Sequence, residues 1–359
     1  MRILINALSG IGDALMFSPA LALLKRNSPD TIVDIAVMFK PVEELFRNNP
    51  FVNNIYFIDF LKQSTLKSLK QTLALRKNKY DVSINVYPSN RREYNLVQFL
   101  EGAKIKLAHR YNHYSFTNWD FLNTKLIREV KDRHNTVENF ELAKAAFPGI
   151  REQELAGLEV YLSEADRIFA DKFISENGLE RKFIAGFHAG SATFKGHINK
   201  RWSADKYAML AQQLAEKYHA KILLFGTEAD VNEKIQKTGG GNVFIPKTGS
   251  LMESLALMEK CSIFISNDSA LMHLAAGLKI PQAAIFAYTN YKELFPWQNR
   301  HIIVRTELDC SPCFFNSPKP VKCIYDGDEK YKCIKLVEVE DVLKACEKLI
   351  EEIPRNVEP

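Results

Sequence analysis

Short apolar runs alternate with segments of helical period along most of the chain. Residues 2–7 are apolar and run into a glycine loop, so they predict a strand. Residues 13–26 carry the helical period and end at Asn27 and Pro29. A strand is expected over 32–38, a short helix over 41–48 and a short strand over 54–58. Residues 64–77 read as a basic amphipathic helix, 82–86 as a buried strand, and 91–101 as a helix ended by Gly102. The stretch 109–123, rich in Tyr, His and Asn, reads as irregular, and 136–147 as a helix stopped by Pro148-Gly149.

A second alternation follows. Helices are expected over 163–177, 203–218, 228–237, 251–259, 269–277 and 339–352. Strands are expected over 183–188, 221–225, 243–245, 263–266 and 282–286. Strand–helix alternation is the mark of a parallel sheet. Two such series imply an α/β chain of two Rossmann-like domains whose parallel sheets face each other across a cleft. The expected division is 1–165, 166–335 and a closing segment 336–359, with a hinge in 155–180.

Composition narrows this picture little. With 46% hydrophobic and 25% charged residues, the chain can bury sizeable cores and is not disordered. A length of 359 residues exceeds one ordinary core. The formal charge of +5 suits an acidic ligand or a membrane surface, and no nucleic-acid module is recognisable. No apolar run approaches the roughly 18 residues of a spanning helix. The apolar start is broken by Gly10, Gly12 and Asp13, which argues against a signal peptide and for a cytoplasmic protein.

The candidate chemistry lies where strands run into turns. In Ile265-Ser266-Asn267-Asp268-Ser269-Ala270-Leu271-Met272-His273, an apolar strand meets good helix-capping residues. A helix start at a strand's carboxyl end offers free N–H groups and a positive dipole end to an anion. His273, one turn further, would lie near that anion site or serve as a satisfied core residue. In Leu8-Ser9-Gly10-Ile11-Gly12-Asp13, two glycines free the backbone, and Asp13 is either a base for an acceptor hydroxyl or a helix cap. In His188-Ala189-Gly190-Ser191-Ala192-Thr193, Ser191 and Thr193 offer hydroxyls, and Lys200 downstream could neutralise a diphosphate. In Phe225-Gly226-Thr227-Glu228-Ala229-Asp230, an acid near the strand end could accept from ribose hydroxyls or simply favour the helix start.

Two further groups stand apart. Cys310, Cys313, Cys323 and Cys333 have the donor chemistry of a structural zinc or iron site, with free thiols or a disulfide as the alternatives. Four thiolates would leave no open position for catalysis. The basic helix carries Lys62, Lys67, Lys70, Arg76, Lys77 and Lys79 with leucines interleaved. It reads as a solvated outer face or as a contact with an anionic membrane.

In order and spacing, these motifs resemble glycosyltransferase family 9, the ADP-heptose:lipopolysaccharide heptosyltransferases. Gly10 to Leu15 with Pro19-Ala20-Leu21, His188 to Ser191 with Lys200-Arg201-Trp202, and Asn267 to Ala276 carry the resemblance. It implies a GT-B fold and metal-independent, inverting transfer of a heptose from ADP-heptose to a lipopolysaccharide inner-core or related glycan. The partners implied are a nucleotide-sugar donor and an anionic glycolipid acceptor, with peripheral contact at the cytoplasmic face of the inner membrane. The resemblance puts the general base at Asp13 beside the acceptor-side loop of Gly10 and Gly12. It puts the diphosphate at Lys200, Asp268, Ser269 and Ala270, and the donor ribose near Asp230. It implies that the closing helix packs on the first domain. The chain departs from the family pattern at Ala270 and at Ala287-Tyr288-Thr289, which leaves another nucleotide sugar or acceptor, or a non-catalytic binding role, as alternatives.

Overall fold

The computed structural model describes residues 1–113, 117–314 and 319–352. The chain divides into two compact units, Met1–Tyr161 and the residues from Leu162 onward. Each is a parallel sheet wrapped by helices.

The first sheet holds β1 (Arg2–Ala7), β2 (Ile32–Val37), β3 (Asn54–Phe57), β4 (Val82–Asn85), β5 (Ile105–Arg110) and β6 (Lys125–Arg128) in the order β3-β2-β1-β4-β5-β6. All adjacent pairs are parallel. The central strands are buried along nearly their whole length, as helices on both faces demand. The helices are α1 (Ile11–Leu15), α2 (Ser18–Asn27), α3 (Lys40–Phe46), α4 (Thr65–Ala74), α5 (Arg92–Glu101) and α6 (Asn135–Ala146). The single helix expected over 13–26 is two. Pro19 stands in the first turn of α2, where its missing N–H costs nothing and its ring cannot continue an earlier helix. The stretch 109–123 begins inside β5, so its first residues are strand rather than irregular, and residues 114–116 lie outside those described.

The second sheet holds β7 (Ile184–His188), β8 (Lys221–Leu224), β9 (Val243–Phe244), β10 (Ile263–Asn267), β11 (Gln282–Ile285) and β12 (His301–Val304) in the order β12-β11-β10-β7-β8-β9. Counted from its own first strand, this is the order of the first sheet. Both have the doubly wound arrangement, with switch points between β1 and β4 and between β7 and β10. The helices are α7 (Glu164–Glu176), α8 (Ala204–Tyr218), α9 (Ala229–Gly239), α10 (Leu251–Glu259), α11 (Ala270–Gly277), α12 (Tyr291–Leu294), α13 (Lys332–Lys335) and α14 (Val339–Glu351).

The closing helix is part of the second unit, where α14 lies against α8, β11 and β12. Its buried stripe of Val339, Val342, Ala345, Cys346 and Leu349 joins the core of Phe187, Tyr207, Ile265 and Ile285. Polar contacts fix the docking: Trp202 Nε1 donates to Val337 O at 2.8 Å, and Lys217 meets Glu347 at 2.6 Å. Residues 353–359 lie outside those described. Among the described residues no helix is long and apolar enough to cross a membrane.

Candidate active site

The second switch point gathers ions. β7 ends at His188 and β10 at Asn267, and the loops that follow carry the motifs. Asn267 stitches them together: its amide donates to Ala189 O at 2.8 Å and its Oδ1 accepts from Trp202 N at 2.9 Å. This pins Lys200 beside Asp268. The ammonium donates to Asp268 Oδ2 at 2.8 Å, and the Thr289 hydroxyl donates to the same oxygen at 2.7 Å. Both charged residues are buried, at 8% and 3% exposed. Burial pushes the Asp268 carboxyl up, but Lys200, Thr289 and nearby His273 outweigh it and hold it below its ordinary range. His273 is itself pushed down to about 4, chiefly by burial, so it is neutral at pH 7. Its Nδ1 is buried without a hydrogen-bond partner among the described residues.

Ser269 is the residue before α11, yet its hydroxyl does not cap the helix. It lies 2.9 Å from His188 Nδ1 instead. The first-turn N–H groups of α11 therefore lack a side-chain cap at a switch point, where a doubly wound sheet receives anionic ligands.

Glu228 is the site residue that the sequence reading passed over. It meets Arg201 at 3.0 Å and His188 Nε2 at 3.7 Å. Two glycines make its slot. A Cβ on Gly190 would stand 2.2 Å from the Glu228 carboxyl carbon, and one on Gly226 2.7 Å from Oε2. Gly226 also has φ of +103°, which other residues rarely adopt. Burial raises the Glu228 carboxyl, but His188 and Arg201 bring it below its usual value. Asp230, the acid singled out from sequence, is instead exposed on the first turn of α9. The missed signal was the pair of glycines, one after each neighbouring strand. Ser191 is tied into the loop: its hydroxyl donates to His197 O at 2.9 Å and accepts from Arg201 at 3.1 Å. Thr193 is exposed, before the turn that leads to Lys200.

The first switch point is different. Asp13 Oδ2 accepts from Gly10 N at 3.3 Å, so Asp13 caps the start of α1 as one of its two readings expected. Gly10 has φ of −66°, and a Cβ there would make an ordinary 3.6 Å contact with Asp13. The chain itself does not require glycine at this position. Tyr94 closes the loop by donating to Leu8 O at 3.1 Å. Burial, with the Asp13 charge adding to it, pushes the Tyr94 phenol up to about 12. Below the loop lies a buried amide chain that the sequence reading did not single out. Asn6 donates to Asn85 Oδ1 at 3.2 Å and to Glu101 Oε2 at 2.9 Å, and Asn85 donates to Asn95 at 2.9 Å. The signal was present: Ile-Asn ends β4 and stands one residue before the end of β1. Burial pushes the Glu101 carboxyl up to about 8, so it is mostly protonated at pH 7.

Cys310, Cys313, Cys323 and Cys333 line one cavity of about 10 Å³ with Tyr288 and Tyr331. All are free thiols, so the disulfide alternative is not realised. Burial raises the thiol of Cys333 to about 11, with the other three cysteines adding to the shift. Among the described residues no group of three or more ligand-type side chains stands in position to hold a metal ion. Tyr288 connects this cluster to the ion site. Its carbonyl accepts from Cys313 N at 3.0 Å, its hydroxyl donates to Gly196 O at 3.1 Å, and its neighbour Thr289 bonds Asp268.

Two doubly wound units of one strand order, with glycine-lined strand ends, place the protein in the GT-B class of glycosyltransferase architecture. Residues 68–324 match the model of glycosyltransferase family 9 (heptosyltransferase), and the chain belongs to that family. It is 24% identical over 353 residues to lipopolysaccharide heptosyltransferase 3 of Escherichia coli, an alignment covering 95% of this chain and 96% of the relative. A family 9 glycosyltransferase structure from Veillonella parvula superimposes with a TM-score of 0.79 at 23% identity, covering 98% of this chain and 97% of that one. The E. coli ADP-heptose lipopolysaccharide heptosyltransferase II structure gives 0.74 at 20% identity, covering 98% and 99%. The protein is a glycosyltransferase.

Proposed function

We propose that the protein transfers a heptose, with inversion and without a catalytic metal, from ADP-heptose to a lipopolysaccharide inner-core or related glycan, at the cytoplasmic face of a membrane. The observation that carries this reading is the buried Lys200–Asp268–Thr289 cluster beside the uncapped start of α11. Charge builds on the leaving diphosphate as the anomeric bond breaks, and fixed donors aimed at that charge give the largest catalytic term. Lys200 and the α11 N–H groups are such donors. Asp268 orients Lys200, and neutral His273 adds a ring nitrogen without a competing negative charge. Glu228, in place of Asp230, is the acid for the donor ribose. Asp13 takes the proton from the acceptor hydroxyl, and Gly10 leaves room for the acceptor to approach. The names of the relatives supply the sugar, the nucleotide and the acceptor class.

Cys310, Cys313, Cys323 and Cys333 suit a zinc or iron ion by donor chemistry, and their loop would have to draw in to close a full ligand set. A metal there would brace Tyr288 behind the ion site and take no part in transfer.

The test is calorimetric titration with ADP, UDP, GDP and CMP under chelator, with the metal content of the purified protein measured, followed by transfer from ADP-heptose. ADP-selective binding is expected. Asp13→Ala should lower turnover by about 10²–10⁴ while leaving ADP affinity unchanged. Preference for UDP or GDP would move the donor to another nucleotide sugar. Retained turnover in Asp13→Ala would remove Asp13 as the base.

A further inference from the structure

Helices α4 and α5 of the first unit are built inside out. A surface helix ordinarily buries its apolar stripe and exposes its polar one. In α4 the buried residues are Ser68 and Thr72, while Leu66, Leu69 and Leu73 face solvent, Leu66 at 77% exposure. In α5 the buried residues are Asn95, Gln98 and Glu101, while Leu96 and Phe99 are exposed. The inward side chains each hold a hydrogen bond, although Gln98 Oε1 and Glu101 Oε1 have no partner among the described residues. Gln98 donates to Ser83 O at 3.0 Å and Leu107 O at 3.1 Å, Thr72 donates to Ser68 O at 2.9 Å, and Glu101 accepts from Asn6. The two helices pack side by side, and the short turn carrying Phe121, which is 80% exposed, packs on α5. Scattered exposed leucines need no explanation, but a shared apolar face on adjacent helices does.

Along the α4 side of this face the charge has one sign, while α5 carries the exposed Glu93, paired with Arg92. Between Asp59 and Asp81 the sequence holds Lys62, Lys67, Lys70, Arg76, Lys77 and Lys79 and no acid. Asp59 accepts from its own loop at Leu61 N and Lys62 N, and Asp81 pairs with Lys104. On α4 the leucines alternate with lysines, Leu66-Lys67 and Leu69-Lys70.

We propose that this α4–α5 face is the surface by which the protein docks on an anionic lipid bilayer. The leucines and Phe99 enter the boundary between headgroups and acyl chains, and the lysines reach the phosphates around them. A second copy of the chain is the poorer occupant. A two-fold contact would set the same cationic patch against itself, with no acid between Asp59 and Asp81 to offset it. The surface gives the glycolipid-acceptor reading a place on the molecule. Vesicle binding is read without any transfer assay, so the two stand or fall separately.

The experiment is co-sedimentation of the full chain with vesicles of phosphatidylcholine alone and of phosphatidylcholine with phosphatidylglycerol. Binding is expected to the anionic vesicles only and to weaken with salt. Leu66→Ser/Leu69→Ser/Leu73→Ser should reduce it at least about tenfold with the melting temperature kept. Lys67→Glu/Lys70→Glu, which leaves the apolar face intact, should do the same. Absence of binding, or binding that both variants leave unchanged, would overturn the proposal. So would a dimer that the leucine substitutions convert to monomer, or an acidic protein captured by this face in the absence of vesicle binding.

Discussion

The two sheets share one strand order, and their switch points carry opposite chemistry. At the second, the end of β7 and the segments after β7, β8 and β10 bring in five charged or chargeable side chains: the buried pair Lys200 and Asp268, and the partly buried Glu228 with Arg201 and His188. At the first, β1 and β4 deliver Asn6 and Asn85, bonded to each other and, through Asn6, to a mostly protonated Glu101. The first unit keeps its buried ion pair elsewhere, where Glu138 meets His109 at 2.7 Å and also pairs with Arg133. Topology fixes where a doubly wound sheet receives a ligand, and the side chains at the strand ends decide which ligand. A charged, hydrogen-bonded site suits a phosphorylated donor. An amide-braced site suits a hydroxyl-rich ligand, in keeping with the acceptor role proposed for it.

The sharpest way to break this comparison is to remove an ion from the second switch point. Asp268→Ala leaves the Lys200 ammonium buried with no carboxylate at 2.8 Å. Removing one partner of a buried pair costs about 3–5 kcal/mol, because the remaining charge has lost its compensation. Denaturant unfolding should show that loss in the second unit, together with loss of ADP binding. A change under about 1 kcal/mol would mean that water reaches Lys200, and the site would not be the dry one described.

The glycines give a matched pair of smaller tests. Gly190→Ala puts a Cβ 2.2 Å from the Glu228 carboxyl carbon, so Glu228 must leave its slot and its contact with Arg201. The atoms met are the far end of a flexible side chain, so Glu228 can swing aside and the cost is that of its lost bond to Arg201, about 1 kcal/mol, and ADP affinity should fall with it. Gly10→Ala meets Asp13 at 3.6 Å at an ordinary φ, so stability should move by no more than about 0.5 kcal/mol. On the proposed function, in which the space at Gly10 admits the acceptor, transfer should nevertheless fall. Equal losses of stability in the two variants would erase the distinction between a glycine that the fold demands and one that the ligand demands.

This contrast also shows what was legible in the sequence. The strand–turn–helix motifs placed Gly10, Asp13 and Asp268 just after strand ends and Lys200 downstream of one, because small residues after an apolar run are a local signal. Glu228 and Asp230 are two acids in one turn, and only the fold tells which faces Gly190 and Gly226. β6 and β12 were not read as strands: β6 is a short edge with a Lys and an Arg at its ends, half-exposed throughout. The stripe on α14 announced that the helix packs but not against which sheet. Leucines on α4 and α5 would ordinarily be assigned inward, and their outward placement needs the buried amides to be seen.

The last test uses pH. The Glu101 carboxyl keeps its proton up to about 8 in the folded protein, against an ordinary value of 4.5. Between those values the folded state binds more protons than the unfolded chain, so stability falls as pH rises through that window. At the second switch point Asp268 is held below its ordinary value, so its contribution is present above that value and is lost only as acid protonates it. The Glu101 and Asp268 contributions therefore have opposite senses, one lost toward alkaline pH and the other toward acid, and Glu138, also held below its ordinary value, adds an acid-side loss in the first unit. Glu101→Gln keeps the shape and removes the titration. It should flatten the first unit's slope between about pH 4.5 and pH 8 and leave donor binding untouched. An unchanged slope would mean that Glu101 is ionised in the fold, and the first switch point would then be as charged as the second.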